Sequence, residues 1–184
     1  MPLIRFSNVT LVRGLRVLVQ DVSFSIERGE IWQLEGANGS GKTSFLRAAA
    51  GLLKPYSGDV FRDDSALISF LGHELAIKPF HKVRDYLSNA QVNNWELAQF
   101  VDTPAKYLSA GQKKRLALAA RCRSDADLWL FDEPLANLDQ RQEARLAEEI
   151  ANHASRGGAV LCSVHTGSVG GRRVRLEGGS VRYD

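Results

Sequence analysis

Residues Gly36-Ala37-Asn38-Gly39-Ser40-Gly41-Lys42-Thr43 restrict the fold more than any other stretch of this chain. Glycine tolerates backbone angles closed to other residues, so several N–H groups of such a loop can converge on one anion. The apolar run Ile31-Trp32-Gln33-Leu34 leads into the loop and a helix-like run leads out from Lys42. A helix starting there turns its unpaired N–H groups and the positive end of its dipole toward the loop. A di- or triphosphate is the anion that this order of strand, loop and helix holds. Lys42 adds a point charge for the β- and γ-phosphates, and the Thr43 hydroxyl suits the Mg²⁺ that bridges them. A turn that merely joins strand to helix would explain the glycines alone, but not the acidic strand that follows later.

The chain has 184 residues, enough for one sizeable core and a small appended lobe but not for two nucleotide-binding domains. With 44% hydrophobic and 24% charged residues it has the profile of an ordered globular domain. The net charge of +3 comes from short basic clusters, Lys113-Lys114-Arg115 and Arg172-Arg173, set among many acids. Solvated helix faces explain that balance better than a nucleic-acid partner does. Cys122 and Cys162 stand apart in apolar surroundings, without metal-ligand spacing or a haem-attachment motif, and read as buried thiols of a reducing compartment. Met1-Pro2-Leu3-Ile4-Arg5-Phe6 enters a strand pattern at once, without a signal peptide, and no run approaches the ~18 apolar residues of a membrane span. Work at a membrane would therefore need another chain to cross it.

Between Leu3 and Ile26 apolar and polar residues alternate on either side of Gly14, which predicts antiparallel strands. A helix is predicted over Thr43 to Leu53, stopped by Gly51 and Pro55, and then a short strand at Asp59-Val60-Phe61. A buried strand from Ala66 to Leu71 ends at Gly72-His73-Glu74. Leu75 to Tyr107 reads as helices broken by Pro79 and Pro104, with Val83, Tyr86, Leu87 and Ala90 on one face. Ser109 is a natural N-cap for a helix over Lys113 to Arg123. Leu128-Trp129-Leu130-Phe131 is uniformly apolar, as in a parallel strand covered on both faces, and runs into Asp132-Glu133. Ligands of such sheets bind at the carboxyl ends of strands, which puts these acids beside the phosphate loop. There Mg²⁺ and a polarised water give the carboxylates partners. A third buried strand, Ala159 to Val164, ends at His165, and the tail reads as a hairpin across Gly178-Gly179.

In this order the segments resemble the ATP-binding cassette family over essentially the whole chain. The resemblance implies an α/β phosphate-loop NTPase core spanning residues 1–184, mostly parallel sheet with antiparallel N-terminal strands, and a helical lobe inserted at 75–123. It implies an ATPase using ATP and Mg²⁺. Gly36, Ala37, Asn38, Gly39, Ser40, Gly41, Lys42, Thr43 and Ser44 match the Walker A segment, and Leu108-Ser109-Ala110-Gly111-Gln112 matches the signature, with Ser109, Gly111 and Gln112 reading phosphate. Thr43 and Asp132 hold the metal in that family, Glu133 matches the catalytic glutamate, Asp139 closes the D-loop and His165 matches the switch histidine. Two copies pack head to tail there, each signature closing over the other's ATP, so a single cassette works as a dimer.

Three positions depart from the family pattern. Arg13 stands where an aromatic usually stacks on adenine, and a guanidinium plane can stack in its place. His73 stands where a glutamine contacts Mg²⁺, and Ala136 opens the D-loop in place of serine. Together with Glu35 to Ser44, Leu71-Gly72-His73-Glu74 and Ile77-Lys78, these features resemble the ATP-binding subunit of the cytochrome c maturation haem exporter. That likeness implies a membrane-spanning transporter subunit and haem-handling proteins as partners. It also implies a peripheral position on the cytoplasmic face of the inner membrane, or its mitochondrial matrix equivalent. A soluble cassette protein of DNA repair or ribosomes would usually carry a coiled-coil insertion, a second cassette or a metal-cluster domain. A phosphate-loop kinase would share only the first motif.

Overall fold

The computed structural model describes residues 1–123, 125–165, 167–177 and 179–183. Two sheets organise it. Strands β1 (Ile4–Arg13), β2 (Arg16–Ile26) and β4 (Ser57–Arg62) form an antiparallel sheet in the order β2-β1-β4, with Ile4 opposite Ile26 and Arg13 opposite Arg16. The second sheet contains β3 (Ile31–Glu35), β5 (Ile68–Leu71), β6 (Leu128–Phe131), β7 (Ala159–Ser163), β8 (Arg172–Glu177) and β9 (Ser180–Tyr183). Its order is β5-β6-β7-β3-β8-β9, parallel throughout except for the β8–β9 hairpin. This is the mostly parallel core with antiparallel N-terminal strands that the sequence predicts. Gly178 of the expected turn lies outside the described residues, and Glu177 pairs with Ser180 across it.

Helix α1 (Lys42–Ala49) packs into the core between the sheets, with Phe45 stacked on Phe6 at 4.4 Å between ring centroids. Trp32 of β3 meets Phe24 of β2 edge-on at 4.9 Å. The helix is shorter than the predicted Thr43 to Leu53, because Gly51 takes φ 76 and turns the chain. Its last carbonyls find a partner from outside: Arg62 of β4 donates from Nε to the Ala49 carbonyl at 2.7 Å and from Nη2 to that of Ala48. A cation at a helix C-terminus both satisfies those acceptors and complements the dipole.

The period of β6 decides what lies on each face of the main sheet. Leu128 and Leu130 join the core around α1, whereas Trp129 and Phe131 join a second core with Leu116 and Leu118 of α3 (Ala110–Arg121) and Leu146 and Ile150 of α4 (Gln140–Ser155). All four β6 residues are buried, as their unbroken apolar run requires. Of the two cysteines, Cys162 is fully buried, which pushes its thiol up to about 12, and Cys122 is partly buried.

Between β5 and α3 the chain is less helical than its sequence suggests. One short helix, α2 (Asn89–Asn94), and three 3₁₀ turns at Val83–Asp85, Ala98–Phe100 and Ala105–Tyr107 replace the expected longer helices. Val83 and Leu87 are buried as predicted, but Ala90 is exposed. The cause is Ser88, whose hydroxyl accepts from the Gln91 N–H and starts a new helix, so the face running through Val83 and Leu87 does not continue. Val83, Leu87, Val92, Trp95 and Leu97 share the core of Leu116 and Trp129. Ser109 and Gln112 cap each other's backbone, so α3 begins at Ala110, ahead of the predicted Lys113. No helix among the described residues is long and apolar enough to cross a membrane.

Candidate active site

The phosphate loop leaves β3 at Gly36, where φ is 150 and an added Cβ would lie 2.6 Å from Ser40 Oγ and 2.8 Å from the Leu176 carbonyl oxygen. No side chain fits there. Gly41, at φ 106, is the N-cap of α1, and no side chain caps the helix, so its first turn opens onto the loop without a competing group. Lys42 is only 6% exposed, and its Nζ donates to the carbonyls of Gly36 at 2.6 Å and Ala37 at 3.2 Å. The ammonium is thus held over the loop by the loop itself.

From Thr43 a chain of hydrogen bonds crosses the carboxyl ends of β6 and β7. Thr43 Oγ1 donates to Asp132 Oδ2 at 2.8 Å, and Ser163 Oγ donates to Asp132 Oδ1 at 2.7 Å. The same Ser163 oxygen accepts from the Glu133 N–H at 2.8 Å, and Lys114 Nζ donates to the Glu133 carbonyl at 2.9 Å. Glu133 adopts φ 47, a left-handed conformation that costs a residue with a side chain about 1–3 kcal/mol. Burial lowers the pKa of Lys114, opposed by the negative charges of Asp132 and Glu133.

Beside the loop lies an open cavity of about 880 Å³, walled by Arg16 to Leu18, Gly36 to Asn38, Ser40, His165 and the β8–β9 hairpin. Ser40 Oγ is buried there without a hydrogen-bond partner, a polar atom that a phosphate oxygen would satisfy. Asp132, 5% exposed and joined to the Thr43 hydroxyl, offers the hard oxygen donors that Mg²⁺ prefers. The donor set fits both groups.

Other candidates lie apart from this cluster. His73 is exposed at the end of β5, outside the cavity wall. Ser109 and Gln112 cap α3, and Asp139 caps α4 by accepting the Gln142 N–H at 2.9 Å. Arg13 is exposed, and it is its strand partner Arg16 that lines the cavity, with Nη1 3.8 Å from the position of a Cβ on Gly39. Arg16, Ser163 and Lys114 escaped the reading of the sequence. Only Arg16 left a signal there, as a second arginine on the far side of the Gly14 turn. Arg16→Ala is expected to weaken ATP binding roughly tenfold, the worth of one charged hydrogen bond, and Arg13→Ala to leave it within about twofold. Titration with a fluorescent ATP analogue checks this, and a larger loss in Arg13→Ala would return the base contact to Arg13.

A family model described as ABC transporter matches residues 19–136. The chain belongs to the ABC transporter family. It is an ATPase of that family, and the phosphate loop, Asp132-Glu133 and the signature segment all fall within the matched stretch. A Hyphomonas neptunium protein named cytochrome c biogenesis ATP-binding export protein CcmA is 36% identical over 176 residues, covering 89% of this chain and 90% of its own. The protein of that name from Yersinia pseudotuberculosis is 40% identical over 182 residues, covering 86% and 84%. Among solved structures, an ATP-binding subunit of an ABC transporter superposes with a TM-score of 0.84 at 19% identity, covering 97% of this chain and 88% of that one. A dimeric, post-hydrolysis ATP-binding cassette bound to ADP and phosphate also gives 0.84, at 22% identity and 98% and 97% coverage. At such identities the superpositions establish the ABC ATPase fold alone.

Proposed function

We propose that this ABC ATPase drives the export step of cytochrome c maturation, as the ATP-hydrolysing subunit of a transporter whose membrane-spanning part is a separate chain. The observation that carries the reading is the likeness to export proteins of cytochrome c biogenesis over nearly the full length of both chains. Leu71-Gly72-His73-Glu74 and Glu35 to Ser44 support it from within the sequence.

Each residue of the cluster then has a task. The loop amides and Lys42 bind the phosphates, with Lys42 exchanging the Gly36 and Ala37 carbonyls for phosphate oxygens. Thr43 and Asp132 would hold Mg²⁺, with His73 at the end of β5 as a further candidate, and the ion would neutralise phosphate charge. Glu133 accepts the proton of the attacking water, and His165, in the cavity wall, hydrogen-bonds the terminal phosphate. Ser109, Gly111 and Gln112 are not among the residues that wall the cavity. They close over the nucleotide of a second copy packed head to tail, with Asp139 at the joint. The 75–123 lobe faces the membrane subunit, and exposed Phe80 and Tyr107, bridged by the Lys106 ammonium 4.8 and 4.7 Å from their ring centroids, offer an amphipathic patch for it. The subunit sits on the cytoplasmic face of the inner membrane, and haem resides on partner proteins.

Deleting the gene, or replacing Lys42 by Ala in it, is expected to abolish mature c-type cytochromes while b-type cytochromes and haem synthesis persist. Haem staining of denaturing gels gives the result. Normal holo-cytochrome c in such a strain would reject the export assignment and leave an ABC ATPase for another substrate.

A further inference from the structure

We propose that Lys114 is a positioning residue for the hydrolytic carboxylate: it holds the strained backbone of Glu133 in place from the helix that carries the signature segment. The inference rests on Glu133 acting as the base.

Glu133 occupies a left-handed conformation that is uncommon for a residue with a side chain, and its neighbours hold it there. Two of them act through side chains. Ser163 Oγ of β7 accepts its N–H, and Lys114 Nζ of α3 takes its carbonyl at 2.9 Å. The serine is itself locked by Asp132, so one side of the peptide is anchored in the sheet. The carbonyl on the other side is shared by the Ala136 N–H of the following turn, at 3.2 Å, and by one long side chain from a different element. Lys114 is partly buried, and no carboxylate oxygen forms an ion pair with it among the described residues. A lysine brought this close to Asp132 and Glu133 yet bonded to a main-chain carbonyl is placed for geometry rather than for charge neutralisation.

The position along α3 gives the contact its further meaning. The signature residues Ser109 to Gln112 form the first turn of α3, and Lys114 follows within the next. When those residues close on the partner's nucleotide, a shift of α3 is passed to the Glu133 carbonyl of the same chain by this bond. Occupancy of one ATP site thereby sets the aim of the base at the other.

Lys114→Met keeps the length and apolar stem of the side chain and removes only the donor. In the full-length chain, kcat for ATP hydrolysis is expected to fall about 10- to 100-fold, the effect of misplacing a reacting group by a fraction of an ångström to an ångström, while KM and the affinity for a fluorescent ATP analogue stay within about twofold. Lys114→Arg, which restores a donor, is expected to recover part of kcat. A merely structural lysine would lower the melting temperature and ATP affinity together and would gain nothing specific from arginine. Wild-type kcat in Lys114→Met, an equal loss of affinity, or no difference between Met and Arg overturns the inference. Should Lys114→Met fail to fold, the comparison is made with Lys114→Gln, whose shorter amide cannot span the same distance. Glu133→Gln separates the two readings: if it retains turnover the base assignment fails, whereas a dead Glu133→Gln beside a fully active Lys114→Met defeats the lysine's role alone.

Discussion

Glu133→Gln is expected to lose hydrolysis by about 10²- to 10⁴-fold, the usual contribution of a positioned general base, while still binding ATP. The amide keeps the volume of the carboxylate and can still touch a water, but it cannot accept the water's proton. The Glu133 backbone is fixed through Ser163, Lys114 and the Ala136 N–H and not through its own side chain, so the substitution leaves the scaffold of the site intact. ATP then stays bound, and two chains remain closed around it. Light scattering with ATP and Mg²⁺ would register a stable dimer for the variant and a transient one for the wild type. A variant that stays monomeric and turns over normally removes Glu133 from the reaction.

Lys42→Ala acts earlier, on binding. The lysine is 6% exposed and its ammonium already sits against the carbonyls of Gly36 and Ala37, so no reorganisation of the loop is needed when phosphate oxygens replace them. Losing two charge-assisted hydrogen bonds at roughly 1.5–3 kcal/mol each predicts at least a hundredfold weaker affinity for ATP. The backbone cradle of Gly36 to Gly41 survives, so weak binding remains. Titration with a fluorescent analogue measures the change, and wild-type affinity would mean that the cradle is not where the phosphates sit.

The parts of this molecule most legible in its sequence are those where one element decides the chemistry. The phosphate loop, the uniformly apolar β6 and the Ser109–Gln112 cap each announce themselves within a dozen residues, because backbone freedom, two-sided burial and capping are local demands. Where several short elements share one core, the signal fades. The stretch between β5 and α3 looked helical because Val83 and Leu87 recur at helical spacing, yet Ser88 restarts the chain and the apolar residues reach the core from 3₁₀ turns. Least legible were the contacts between distant segments. Nothing in a serine near the end of a strand, or in a lysine within a basic cluster, says that both will grip the peptide of Glu133. Those pairings exist only once β6, β7 and α3 have been brought together.

The order of strands in the main sheet also governs when the nucleotide cavity can exist during synthesis. Strand β3 delivers the chain to the phosphate loop, yet its two neighbours, β7 and β8, come from the last part of the sequence: Ile31 pairs with Val160, and Trp32 with both Leu161 and Arg172. The loop therefore leaves the ribosome long before either ladder that steadies it. Until then β3 has unpaired edges on both sides, the kind of surface that pairs with the wrong chain. Contacts so remote in sequence close slowly, because the entropy of a long loop is lost before any bond forms. The late-made ladders of β3 with β7 and β8 are also the ones that bring the far wall of the cavity to the phosphate loop.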